Sequence, residues 1–198
     1  MENPLAATTD LRLLGLSGSI RRDSTNTAIL RTLAEKLTNK ASLTLFPLDD
    51  IPLYNGDLEG ERLPQPVRAL KDAIAKSDGI VLCSPEYNHG MPGVLKNALD
   101  WASRPGFASP LKNKPALIMT SSPGYIGGAR AHAQLRETLA AALARVVARP
   151  QVTIASVLEK MVDGKLVEES TLNFCSGALK DLLSEIRLLS PSVTGSAG

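Results

Sequence analysis

The residues best placed to do chemistry lie early in the chain, in Ser17-Gly18-Ser19-Ile20-Arg21-Arg22-Asp23-Ser24-Thr25-Asn26-Thr27. This stretch holds five hydroxyl side chains, one amide and two arginines. Hydroxyl and guanidinium groups donate to phosphate oxygens. If the stretch leaves a strand and opens a helix, the free N–H groups and dipole of the helix start add to the attraction. A plainer reading is local, with Ser24 or Asn26 capping the helix. A cap explains one or two of these residues but not their density, so we read the stretch as a phosphate site. The fingerprint GxGxxG is absent, because Gly15 and Gly18 are three apart and no third glycine follows. Gly90 has Leu95 where a GxxxxGK[ST] loop needs glycine. Neither cysteine opens a phosphatase-type loop ending in arginine. One cluster of donors suits a mononucleotide better than a pyrophosphate.

A second loop, Ser84-Pro85-Glu86-Tyr87-Asn88-His89-Gly90-Met91-Pro92-Gly93, precedes VLKNALDWA. A planar heteroaromatic ring needs an apolar face beside it and donors and acceptors around its rim. Pro85 would fix the turn, Tyr87 offer a ring and Asn88 read an edge, with glycines allowing close backbone approach. Taken alone, the same residues also read as a polar turn. Glu86 is open to two readings, a catalytic base or a carboxylate whose backbone frames the ring.

These loops need a scaffold. Leu11–Ser17, Ser42–Pro47, Gly79–Ser84, Ala116–Ser121 and Gln151–Ala155 read as strands. The runs at 79–84 and 116–121 lack polar alternation, as strands covered on both faces do. Thr27–Leu37, Gln65–Lys76, Val94–Ala102, Ala131–Val147 and Glu169–Leu189 carry apolar residues at helical spacing. In the Ala-rich fourth segment, Arg136, Leu143 and Arg145 read as an amphipathic pattern. Strand then helix, five times over, predicts an α/β fold: one parallel sheet with helices on both faces. Residues 1–10 and 189–198 read as disordered tails around a single domain, 11–188. In such a sheet, ligands bind beyond the carboxyl ends of the strands, so the loops after the first, third and fourth strands belong together.

At those strand ends, GSIRRDSTN, SPEYNHGMPGVLKNALDW and TSSPGYIGGAR resemble the NADPH-dependent FMN reductase family, over essentially 11–187. The resemblance implies a flavodoxin-like, doubly wound, five-stranded parallel sheet. It also implies FMN as cofactor and NADPH or NADH as co-substrate. By position it implies that Ser17, Ser19, Arg21, Ser24 and Asn26 surround the FMN phosphate. Pro85, Glu86, Tyr87 and Asn88 would line the isoalloxazine ring, with Ser121 and the 121–128 loop on its other side. The glycines of that loop would let backbone approach the ring. The motif fixes one arginine better than the second, so Arg22 is unassigned, and it gives His89 no role. The chemistry would rest on the flavin, with no catalytic side chain demanded. The implied acceptors are small molecules: quinones, azo compounds, chromate or free flavin. A homodimer or homotetramer is also implied. A non-catalytic flavodoxin-type electron carrier is the alternative; such carriers are strongly acidic, whereas this chain has a net charge of +2.

The remaining residues mostly exclude. The 198 residues carry 22 Lys+Arg against 20 Asp+Glu, too even a balance to predict nucleic acid or a membrane surface as partner. No apolar run suits a membrane span, and MENPLAATTD does not resemble a secretory signal, so the expectation is a cytoplasmic protein. Two histidines, without Cys, Asp or Glu partners at ligand spacing, predict no metal centre. Cys83 and Cys175 read as small buried residues. Asn97 and Trp101, four apart on one helix face, read as packing or subunit contacts. Asp49 and Asp50 follow the second strand, about 30 residues past the first loop where a dinucleotide fold would place its ribose-binding acid nearer ~20. They are left unassigned.

Overall fold

A computed structural model describes residues 11–37 and 41–189. The expected tails fall on 1–10 and 190–198, outside the described residues, except Leu189, which is the last residue of a helix. The sheet is built from β1 (Leu11–Ser17), β2 (Ala41–Phe46), β3 (Gly79–Ser84) and β4 (Pro115–Ser121), with two short strands, β5 (Arg145–Val146) and β6 (Val152–Ile154), at one edge. All pair in parallel in the order β2-β1-β3-β4-β5, and β6 also pairs with β4. β5 lies against Pro115–Ala116 and β6 against Met119–Ser121, so together they fill one fifth position. This is the flavodoxin-like order 2-1-3-4-5.

Among the described residues five α-helices cover the sheet: α1 (Thr25–Lys36), α2 (Gln65–Lys76), α3 (Gly93–Ala102), α4 (Ala129–Ala141) and α5 (Glu169–Leu189). The alternation of strand side chains sends Leu14, Leu16, Ile80 and Leu82 into a core with α2, α3 and α4. Leu13, Val81, Cys83, Leu117 and Met119 face α1 and α5. Every residue of β3 and β4 is buried, as their unbroken apolar runs predicted. Both thiols are buried, and burial pushes Cys175 up to about 11 and Cys83 well above its ordinary value.

The fourth predicted helix ran too far. α4 stops at Ala141, Leu143 takes a left-handed φ of 63°, and Arg145 and Val146 enter the sheet as β5. The alanines favour helix, but the β-branched Val146 and Val147 complete an otherwise open edge of β4, and Val147 N–H donates to Ala116 O. A hairpin, β7 (Met161–Val162) with β8 (Lys165–Leu166), also escaped the strand-helix alternation. Its Asp163-Gly164 turn has positive φ at both residues, the two-residue turn these types favour. The hairpin docks on α1, where Leu166 N–H donates to Thr32 Oγ1 and Lys165 pairs with Glu35.

Asn97 and Trp101 act within the chain. Asn97 Oδ1 accepts from Tyr54 N–H at 2.7 Å, its Nδ2 donates to Pro52 O at 2.9 Å, and Trp101 Nε1 donates to the same oxygen at 2.8 Å. α3 thus pins the 51–54 segment, with Tyr54 edge-on to Trp101. Asn97→Ala leaves the part-buried Tyr54 N–H without its acceptor and Pro52 O with Trp101 alone, so it should lower unfolding free energy by roughly 1–3 kcal/mol. Urea denaturation against wild type checks this, and an unchanged midpoint would show that the 51–54 segment does not depend on Asn97.

Candidate active site

The floor of the site is made where β1, β3 and β4 end. Gly18 N–H donates to Cys83 O at 2.8 Å, drawing the first loop across β3. A Cβ on Gly18 would lie 2.5 Å from Ser84 Oγ and 3.0 Å from Ser84 Cα, so this crossing needs glycine. Asn26 is buried in the first turn of α1. Its Oδ1 accepts from Ser121 Oγ at 2.9 Å and from Cys83 Sγ at 3.3 Å. Ser24 is the N-cap of α1 and accepts from Thr27 N–H.

Of the residues expected around a phosphate, Ser17, Ser19 and Arg21 line open space, whereas Ser24 and Asn26 lie beneath it. Ser121, expected beside the ring, is also buried, bonded to Asn26. Thr27 joins the open group, donating from Oγ1 to Ser17 Oγ at 2.8 Å. The hydroxyl density of the loop signalled Thr27, although its role was not separated from the helix start. The first turn of α1 carries no acidic side chain, so its dipole remains free to favour an anion.

The second loop is a tight turn. Tyr87 and Gly90 exchange both backbone hydrogen bonds, and Asn88 and His89 between them have φ of 50° and 66°. Asn88 therefore sits exposed at the tip, while the half-exposed Tyr87 ring lies over the groove beside Ile20. Pro85 links β3 to this turn. The Glu86 side chain turns toward α4: Oε2 accepts from Arg130 N–H at 2.9 Å and Ala131 N–H at 3.1 Å. α4 has Gly128 at its N-cap and no capping side chain of its own, so a carboxylate from another loop supplies the cap. Gln134 adds a second tie, accepting Met91 N–H through Oε1. Arg130 Nη1 also meets His89 Nδ1 at 2.9 Å. No spacing in the sequence announced these ties, because they join residues more than 40 positions apart.

In the third loop Gly127 and Gly128 serve the chain itself. A Cβ on Gly127 would come within 2.9 Å of the Thr153 and Ala155 backbone, and one on Gly128 within 2.9 Å of Thr120 Cβ. Both have positive φ. Both glycines thus lie close against β4 and the end of β6, with Ser122 N–H donating to Ile154 O. Tyr125 and Ile126 stand exposed at the tip.

The first and second loops, with the start of α3, border an open cleft of about 300 Å³ lined by Ser19, Ile20, Arg21, Tyr87, Pro92 and Val94. Donors stand at its β1 end and an aromatic ring at its β3 end, the order in which FMN presents a phosphate and a flat ring. The residues therefore fit that group. A second cavity, about 360 Å³, opens on the β2 side of the first loop.

The sequence pattern of the NADPH-dependent FMN reductases matches residues 11–159. A quinone reductase of Escherichia coli is 40% identical over 175 residues, covering 85% of this chain and 92% of its own. An NAD(P)H-dependent FMN reductase of Pseudomonas aeruginosa is 36% identical, covering 91% of this chain and 97% of its own. Among solved structures, the flavoenzyme NAD(P)H:(acceptor) oxidoreductase FerB of Paracoccus denitrificans superimposes with a TM-score of 0.82 at 33% identity, covering 90% of this chain and 98% of that one. The protein is accordingly an FMN-dependent NAD(P)H oxidoreductase acting on small-molecule acceptors. With pattern, relatives and sheet order in agreement, the chain belongs to the NADPH-dependent FMN reductase family.

Proposed function

We propose that the protein carries electrons from NADPH or NADH, through FMN held across the β1 and β3 loops, to quinones and similar flat oxidants. The observation that carries this reading is the single cleft with phosphate donors at one end and Tyr87 at the other. Bound FMN supplies the hydride acceptance and electron donation. The chain would bind and orient. Ser19, Arg21 and the α1 N-terminus hold the phosphate, while Pro85, Tyr87 and the Asn88 turn border the ring. Glu86 ties the ring-side loop to α4. Quinones come first among acceptors because the relatives include a 2-hydroxy-1,4-benzoquinone reductase of a Burkholderia species, 37% identical over 165 residues. Azo compounds, chromate and free flavin are further acceptors under the same reading, since a shallow cleft selects weakly.

A cytoplasmic homo-oligomer is part of the proposal. Among the described residues, no helix is long and apolar enough to cross a membrane. Phe107 is 81% and Leu143 40% exposed along a groove between α3 and α4, where a second copy would cover them. Light scattering should give a mass twice or four times that of the chain.

Arg21 borders both cavities, whereas Arg22 borders only the one on the β2 side and is almost fully exposed beside Asp23. Arg21→Ala should weaken FMN binding by about ten- to hundredfold, the range for a hydrogen bond to a charged group, and Arg22→Ala by much less. Titrating FMN into both flavin-free variants decides it, and equal affinities would remove Arg21 from the phosphate site.

Glu86 distinguishes a cap from a base. Glu86→Gln keeps an oxygen for Arg130 N–H and should retain most turnover, while Glu86→Ala should cost about 1 kcal/mol of stability as a lost cap does. A fall of roughly a hundredfold or more in Glu86→Gln turnover, with stability intact, would instead mark general acid–base catalysis.

The experiment that tests the function uses steady-state kinetics. Donor and acceptor must reach the same open side of the cleft, so they take turns. Initial rates with NADPH and a quinone should give parallel double-reciprocal lines. Intersecting lines, with no quinone reduced by enzyme that was prereduced and freed of nicotinamide, would contradict the shared-site reading.

A further inference from the structure

The cavity of about 360 Å³ beyond β1 and β2 shares Ser17, Ser19, Arg21 and Thr27 with the phosphate end of the flavin site, but its Arg22, Arg31, Phe46 and Asp49 have no part in the function above. Arg21 and Arg22 overhang it from the first loop, and Arg31 reaches it from the middle of α1. Phe46 at the end of β2 and Asp49 just beyond it form the opposite wall. Three guanidinium groups thus face one carboxylate. Among the described residues Arg31 has no hydrogen-bond or ion-pair partner, and Arg22 has only an exposed contact with Asp23 at 4.0 Å. Like charges gathered around a hollow with fewer counter-charges than cations leave an unmet demand for an anion.

The strand order limits which anion. β2 lies on the opposite side of β1 from β3 and β4. A flavin ring beside Tyr87 lies toward β3 and β4, and its phosphate ends at the β1 loop, leaving the β2 side open. Two strand spacings, roughly 10 Å, separate the seam between β3 and β4 from that between β1 and β2. An extended dinucleotide bridges that span. The cavity also offers more than charge: Phe46 and Pro47 give an apolar wall for a base, and Asp49 an acceptor for a ribose hydroxyl.

We propose that this cavity holds the adenosine 2′-phosphate end of NADPH, with Arg31 and Arg22 as its phosphate ligands. The proposal rests on the flavin reading of the neighbouring cleft. It makes this chain prefer NADPH to NADH, because NADH leaves the guanidinium cluster unmatched. Since the arginines are exposed, the preference is screened by salt.

The test uses the FMN-loaded protein and adenosine 2′,5′-bisphosphate as probe, with adenosine 5′-monophosphate as the comparison. Calorimetric titration should show the bisphosphate binding about tenfold tighter or better. Arg31→Ala should abolish most of that margin, as should half-molar salt, while the flavin absorbance stays that of bound FMN. In turnover, the ratio of kcat/KM for NADPH to that for NADH should fall in Arg31→Ala. Equal affinities for the two probes in wild type would overturn the proposal, as would a margin that survives Arg31→Ala. Release of FMN by the bisphosphate would also overturn it, by making the cavity the flavin's own phosphate site. A protein that takes up no FMN, seen in the spectrum before any probe is added, would overturn the flavin reading and this proposal with it.

Discussion

One amide oxygen, Asn26 Oδ1, lies where the three functional loops meet. It accepts from Ser121 Oγ at the end of β4 and from Cys83 Sγ near the end of β3, while Asn26 itself opens α1. All three side chains are buried. An amide oxygen has two lone pairs, and both are used here, so loss of the amide would leave the buried Ser121 hydroxyl and Cys83 thiol without this acceptor. The arrangement fixes the start of α1 against the two central strands. The hydroxyls and arginines of the first loop then stand above a rigid base.

From that base the site divides into a fixed floor and an exposed rim. The floor is held by backbone and buried contacts: Gly18 against Ser84, Ser24 capping α1, and Gly127 and Gly128 against the ends of β6 and β4. The rim consists of Ile20, Arg21, Tyr87, Asn88 and the Tyr125–Ile126 tip, all solvent-exposed. Glu86 and Gln134 join rim to scaffold, since they tie the β3 turn to α4 by hydrogen bonds to backbone N–H groups. A rigid floor preorganises phosphate recognition, while an open rim admits acceptors of several shapes. Catalysis by a bound cofactor needs this division, because the protein must position one ring without demanding a single substrate.

Much of this was legible in the sequence because it rests on local pattern. The unbroken apolar runs at 79–84 and 116–121 gave two central strands covered on both faces, and the hydroxyl-rich stretch after Leu16 marked the β1 loop. What the sequence did not disclose depends on distant pairing. Arg145–Val146 became strand because β4 had an open edge beside it, which helical periodicity cannot sense. Asn26 and Ser121 carry the residue types of ligand contacts, yet they lie 95 positions apart and hydrogen-bond each other. Glu86 reads as an acid or base until the N-terminus of α4, more than 40 residues on, is seen beside it. The glycines of the third loop read as room for a ligand, and at Gly127 and Gly128 the space of a side chain is taken by the chain's own backbone and Thr120.

The central claim is that the β1 loop and the start of α1 are built for one terminal phosphate. Comparing the dissociation constants of riboflavin, FMN and FAD for the flavin-free protein tests it most directly. The account predicts that FMN binds tightest, exceeding riboflavin by at least about a hundredfold, since several donors converge on the phosphate at roughly 1.5–3 kcal/mol each. FAD should bind more weakly than FMN, because the phosphate next to its ribityl chain carries a single charge and drags an adenosine past the loop. Riboflavin binding as tightly as FMN would show that the loop's hydroxyls and arginines do not read a phosphate, and FAD binding tightest would show that they read a pyrophosphate.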